Sequence, residues 1–126
     1  MASPPVHIDV PWLLQRHEEV LPQEPMVSDF SALVAAVARH RVDPPRLGTD
    51  SDPAWRGAAL LHTLALIRSL PSRNARFACS AAVAYMHMSG EGIDPPYGAL
   101  IDLVRDIQSA KADVYATAEA LRSWRV

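Results

Sequence analysis

Lysine, cysteine, glycine and the aromatic residues are all scarce in this chain, and each scarcity excludes something. Of the 12 Lys and Arg residues only Lys111 is a lysine, and with 14 Asp and Glu the formal net charge is −2. No basic stripe stands out, so a nucleic-acid partner is not expected. A single cysteine, Cys79, allows no internal disulfide and suits a reducing compartment. The 5 glycines are dispersed and form no phosphate-cradling loop. No apolar run reaches the length of a membrane span, and the N-terminus lacks the apolar region of a signal peptide. A cytoplasmic, soluble protein with no membrane partner is therefore expected. The histidines are scattered, with no i, i+4 pair beside a carboxylate, so neither a metal nor a cofactor is expected. No segment alternates convincingly as a strand, and there are no repeats or low-complexity tracts.

What remains is helical. Residues 1–126 suit one domain, 49% hydrophobic but only 6% aromatic, so its core is built mainly of Ala, Leu and Val. After a flexible tail over 1–6, Asp9 is placed to cap a helix running to Val20, with Pro11 in its first turn, and Pro22 and Pro25 end it. Ser28 or Asp29 caps a second helix, on which Phe30, Leu33, Val34 and Val37 recur on one face. Val42 to Pro53 reads as a loop. A third helix follows from about Ala54 to Ile67 and a fourth from after Pro71 to about Ser89, with Gly90 as its C-cap. Asp94 is the expected cap of a fifth helix that turns Leu100, Leu103, Val104 and Ile107 inward. A sixth spans about Lys111 to Trp124. Helices three and four are apolar nearly all round and belong at the centre of an all-α bundle. Trp12, Trp55 and Trp124 fall at helical positions and read as packing anchors.

The turn between those two helices holds the chemistry. Pro71-Ser72-Arg73-Asn74-Ala75-Arg76 opens helix four, where unpaired N–H groups and the positive end of the helix dipole attract anions. Arg68, Arg73 and Arg76 surround that point, which makes Arg68, Arg73, Asn74 and Arg76 a candidate site for a phosphate, carboxylate or enolate. The alternative is that Ser72 or Asn74 caps the helix and the arginines are solvated or paired. His62, two helical turns earlier, is the candidate proton mover, or else a histidine hydrogen-bonded in the core. His40 and His87 read as structural, and His7 and His17 as exposed. Asp50 and Asp52 on the loop are within reach of the turn, and the Tyr97 hydroxyl is a further candidate, although packing accounts for it.

From Ala58 to Gly90 the chain reads AALLHTLALIRSLPSRNARFACSAAVAYMHMSG. In spacing this resembles the Fic/Doc family, whose Doc-like members read AALLH-x5-HPFxDGNKRTA followed by an apolar helix ending in Gly. His62 falls on the LLH histidine, and Asn74 and Arg76 on the Asn and Arg of GNKR. Arg68 stands in place of the catalytic His, Ser72 in place of the metal-holding acid and Arg73 in place of the anion-loop Gly. The resemblance implies a bundle of about six helices whose turn binds the phosphates of a nucleotide. The family's nucleotidyl or phosphoryl transfer needs a base and a hard-metal ligand. An Arg cannot accept a proton at neutral pH, and a Ser is a poor ligand for Mg²⁺, so that reaction is not expected. In the family the loop before helix three pairs with a target polypeptide; here Pro44, Pro45 and Pro53 remove donors from such an edge.

Two functions of different class follow. One is a small cofactor-independent enzyme acting on an acidic small molecule, with lyase or cyclase chemistry (dehydration, conjugate addition or cyclisation) promoted by anion-holding arginines. The Arg-over-Lys usage with abundant Ala and Pro matches a high-GC bacterium, where such proteins serve natural-product biosynthesis. The other, implied by the resemblance, is the toxin component of a toxin–antitoxin pair, or an inactive relative that binds an antitoxin-like protein partner. A homo-oligomer is compatible with either.

Overall fold

Aspartate directly ahead of an apolar-periodic stretch starts a helix at four places in this chain. Asp9 accepts the Trp12 N–H at 2.9 Å, Asp29 that of Ser31 at 3.0 Å, Asp52 that of Trp55 at 3.0 Å and Asp113 that of Ala116 at 2.8 Å. Each satisfies a donor that the first helical turn leaves unpaired. The computed structural model describes residues 5–22 and 26–126. These form α1 (Val10–Val20), α2 (Phe30–Arg41), α3 (Pro53–Leu66), α4 (Asn74–Met88), α5 (Ala99–Gln108) and α6 (Val114–Ser123). Among the described residues the only extended pairing is an isolated antiparallel bridge between Ile93 and Arg125. The chain is an all-α bundle.

Helix α3 is its axis. Every residue from Ala54 to Ala65 is buried, because α2, α4 and α6 pack around it, with α5 beside them. Helix α1 closes the bundle against α4 and α2. Small residues let the helices approach: a Cβ on Gly57 would lie 2.9 Å from Met86 Sδ and 3.5 Å from Leu121 Cδ1, so side chains of α4 and α6 both press against α3 at Gly57. Trp55 anchors the far end of the core; it is 1% exposed, stacks on Tyr115 at 5.6 Å and donates Nε1–H to the Val42 carbonyl. Trp12 and Trp124 pack against the core while partly buried.

Three expectations are corrected. Asp94 does not cap a helix: its N–H donates to the Trp124 carbonyl, and residues 92–94 run extended beside the C-terminal residues, where Val126 N–H meets the Gly92 carbonyl. Helix α5 starts later, after Gly98 in the left-handed region (φ 82°), a conformation glycine adopts freely. Phe30 and Val34 are exposed, and the buried face of α2 is instead Ala32, Leu33, Ala36, Val37 and His40. Helix α6 begins at Val114, because Ala110 (φ 63°) ends the preceding turn and the Lys111 and Ala112 N–H groups fold back on the Asp106 carbonyl. Of the expected tail, residues 1–4 lie outside the described residues, as does Pro25. Val6 is tied to the body, its carbonyl accepting from Tyr85 Oη at 2.7 Å.

Two forces oppose each other when Gly57 is replaced: a side chain there gains about 1 kcal/mol of helix propensity and crowds Met86. Gly57→Ala should come out within about 1 kcal/mol of the parent. Gly57→Val should lose about 3 kcal/mol, since its branches cannot be accommodated by bending one methionine. Urea denaturation of the pair reads both.

Candidate functional site

The turn from α3 to α4 is built around one carboxamide. Asn74 Nδ2 donates to the Leu64 carbonyl at 2.7 Å, while Oδ1 accepts the N–H groups of Ser69 at 3.1 Å and Leu70 at 3.3 Å and the Ser69 hydroxyl. The Ser69 carbonyl in turn receives the N–H groups of Ser28 and Asp29 and the Ser28 hydroxyl. Asn74 is buried, and both ends of its amide are engaged in holding this turn. It therefore offers an anion nothing without breaking the turn.

The arginines behave otherwise. Arg68, Arg73 and Arg76 are exposed, and none of their guanidinium groups makes an ion pair or hydrogen bond among the described residues. Arg73 sits at the N-cap position of α4 in the left-handed region (φ 57°), and no side chain caps that helix. Neither Ser72 nor Asn74 plays the capping role open to it in the sequence. The start of α4 is thus a rim that no side chain caps, with Arg68, Arg73 and Arg76 exposed beside it in the chain.

His62 stands apart from that rim. It is 9% exposed, and its Nδ1 lies 2.8 Å from Arg39 Nη1. A guanidinium only donates, so Nδ1 accepts and the ring is neutral, with its proton on Nε2. Burial, then the Arg39 charge, lowers its pKa, while Asp113 and the Ala112 backbone pull the other way. Arg39 also reaches Thr63 Oγ1 at 3.3 Å. His62 therefore links α2, α3 and the α5–α6 turn, and its basic lone pair is occupied.

The loop over 42–52 opens at the opposite end of α3 from the rim. The length of α3, about 20 Å, separates the two. Asp52 caps α3 and takes a bidentate contact from Arg122, Nε to Oδ2 at 2.8 Å and Nη2 to Oδ1 at 2.9 Å. The Arg46 guanidinium lies 3.6 Å from the centre of the Tyr115 ring. This loop and Asp52 therefore serve the other end of the bundle. Tyr97 is fully exposed and neither packs nor joins the rim.

That other end carries a polar core which the sequence reading left out. Arg56 is 3% exposed. Its Nη1 donates to the His40 carbonyl at 2.8 Å, and its Nη2 to Asp43 Oδ1 at 2.8 Å and Ser51 Oγ at 3.0 Å. His40 is wholly buried; Nε2 accepts the Ile8 N–H at 3.0 Å, and Nδ1 faces the Arg56 carbonyl at 3.2 Å. Its edge meets the Tyr85 ring at 4.8 Å. Desolvation pushes its pKa down to about 4. Burial pushes the Cys79 thiol up to about 11, so it is an unreactive core residue. The signal was present in the sequence: Arg56 interrupts an otherwise apolar helix, and His40 falls in register with Leu33 and Val37. Among the described residues no three His, Cys, Asp or Glu side chains group as metal ligands, and no helix is long and apolar enough to cross a membrane.

No protein-family model matches this chain, and none of the curated proteins does.

The bonds at Asn74 and the freedom of Arg76 predict opposite outcomes at two positions one helical turn or less apart. Asn74→Ala should cost about 3 kcal/mol, because buried N–H and C=O groups lose their partner. Arg76→Ala should stay within about 0.5 kcal/mol. Equilibrium denaturation distinguishes them. Acid should also act through His40. The unfolded chain takes up a proton near pH 6.5 and the folded one only near pH 4, so stability is full above the unfolded value and falls as pH drops between the two. About 3 kcal/mol should be lost across that window, and the loss should flatten in His40→Gln, measured by denaturation from pH 7 to pH 4.

Proposed function

We propose that the protein acts on a small acidic molecule held by Arg68, Arg73 and Arg76 at the start of α4, on a Fic/Doc-like scaffold diverted from nucleotide chemistry. One observation carries this reading: three exposed arginines, none of them in an ion pair among the described residues, flank in the chain a helix start that no side chain caps. Like charges gathered at the positive end of a helix dipole repel, and an anion relieves that repulsion. Arg pairs planar carboxylates in a fork that Lys cannot make. The activity proposed is cofactor-independent lyase or cyclase chemistry in a bacterial cytoplasm, with the arginines stabilising an enolate-like anion as charge develops. His62 is the titrating group available to it, and it can accept a proton only when Arg39 leaves Nδ1.

A second reading has its own support. Phe30 and Val34 lie one turn apart on the same face of α2 and are 55% and 58% exposed. Such a face favours a partner-binding protein, the toxin component or inactive relative that the family resemblance implies.

Thermal unfolding against inorganic phosphate, AMP, ATP and a set of small mono- and dicarboxylic acids tests both. A carboxylic acid at about a hundredfold excess over its Kd should raise Tm by about 8 °C, and Arg76→Ala should abolish the shift. A shift with nucleotides alone overturns the small-acid reading in favour of the family's ligand class. The absence of any shift overturns it in favour of the partner-binding protein.

A further inference from the structure

A cleft of about 510 Å³ lies between the first turn of α3, the last turn of α4 and the extended segment Pro5–Val6. That is the volume of a small-molecule site, and it is at the other end of the α3–α4 hairpin from the arginine rim. Its charges are already matched within the protein. Arg56 pairs with Asp43 at 2.8 Å, Asp52 with Arg122 at 2.8 Å and Glu91 with Arg125 at 2.9 Å. Among the described residues a charged ligand entering here finds no counter-ion that is free.

What is unspent is neutral hydrogen-bonding capacity. Arg56 Nε and Ser89 Oγ are buried and have no hydrogen-bond partner among the described residues, although the Nη atoms of Arg56 make four bonds between them. The Ser89 hydroxyl lies close to Tyr85 without reaching hydrogen-bonding geometry, and the Tyr85 proton is given to the Val6 carbonyl. An unpaired buried donor is costly, and native proteins seldom leave one without a reason. Beside these and the paired Asp52 and Glu91, the wall offers an apolar surface of Pro5, Val6, Pro53 and the Tyr85 ring.

We infer that this cleft binds an uncharged, largely apolar molecule bearing a carbonyl or ether oxygen, which accepts from Ser89 Oγ and Arg56 Nε. Both donors lie beneath the wall, so the wall gives as the ligand enters. Ser89 turns about χ1, and the segment Pro5–Val6 shifts outward. That segment is secured by Tyr85 Oη on Val6 and, beyond it, by the bonds of Ile8 to His40 Nε2 at 3.0 Å and Arg41 Nε at 3.2 Å. The site is separate from the acid-binding rim in place and in ligand charge.

Prodan, an uncharged naphthyl ketone whose emission moves to the blue on leaving water and reports hydrogen bonding to its carbonyl, is a direct probe of the full chain. Titration should saturate with one dye per chain. Ser89→Ala, which removes a hydroxyl with no hydrogen-bonding geometry to a partner among the described residues, should fold as the parent does and bind about fivefold more weakly. Ser89→Leu, which fills the cleft, should not bind. Arg76→Ala at the rim should bind as the parent does, so failure of the rim proposal leaves this result untouched. Absence of saturable binding overturns the inference, as does binding that survives in Ser89→Leu. An anionic anilinonaphthalene sulfonate competing for the same Ser89-dependent site with equal affinity also overturns it, since the cleft would then not select for a neutral ligand.

Discussion

With Nδ2 on the Leu64 carbonyl and Oδ1 receiving the N–H groups of Ser69 and Leu70, the Asn74 side chain ends α3 and begins α4 in a single set of bonds. Only a carboxamide both donates and accepts at that spacing; an Asp would lose the donor and bury a charge. The consequence spreads outward. Ser69, fixed by Asn74, presents its carbonyl to Ser28 and Asp29, so the start of α2 is set by the same turn. Asp29 then caps α2, and α2 packs along the length of α3. The exposure of Arg68, Arg73 and Arg76 is a by-product: the turn is held from inside by Asn74, which leaves their side chains free of any structural duty.

At the other end, a buried guanidinium does the corresponding work by different means. Arg56 gathers the His40 and Val42 carbonyls, Asp43 and Ser51, so the end of α2 and the loop after it converge on the first turn of α3. His40, fixed between Arg56 and Ile8, brings the N-terminal segment onto the same cluster. Asp43 is drawn below the usual carboxylate range by the Ser51 hydroxyl and by Arg56, which keeps it ionised opposite the cation at neutral pH. A buried cation is tolerated here because four acceptor contacts surround its two Nη atoms and the His40 ring stays neutral.

Much of this fold was legible because helix starts and apolar periodicity are local signals. Asp9 and Asp29 cap as their positions foretold, and the all-apolar character of helices three and four placed them in the core. The bounds of α5 were not legible, because Asp94 and the prolines after it carry the pattern of a helix start. A non-local bond to Trp124 claims the Asp94 N–H instead. Phe30 and Val34 share a helical stripe with nothing in the sequence to say that no neighbour covers it. The candidate site was legible in part. The arginines are exposed on either side of one helix start, whereas Asn74 and His62 are engaged with partners up to about fifty residues distant that spacing alone does not reveal. Arg56 and His40 were visible as polar residues in apolar stripes, but their mutual contact depends on the antiparallel register of α2 and α3.

The two ends of the α3–α4 hairpin therefore present different electrostatic problems. At the start of α4, charge is in excess and exposed, and water and salt screen it; a ligand gains there by bringing the opposite charge to a place where the helix dipole adds to three guanidiniums. In the cleft, every charge is matched at contact distance, and burial makes an extra one costly. What is missing there is a neutral acceptor. A ligand suited to one end gains nothing at the other, because the first lacks enclosing apolar walls and the second lacks free charge. The separation follows from the sequence itself: arginines without acids from Arg68 to Arg76, and acids interleaved with Arg46 and Arg56 from Asp43 to Arg56.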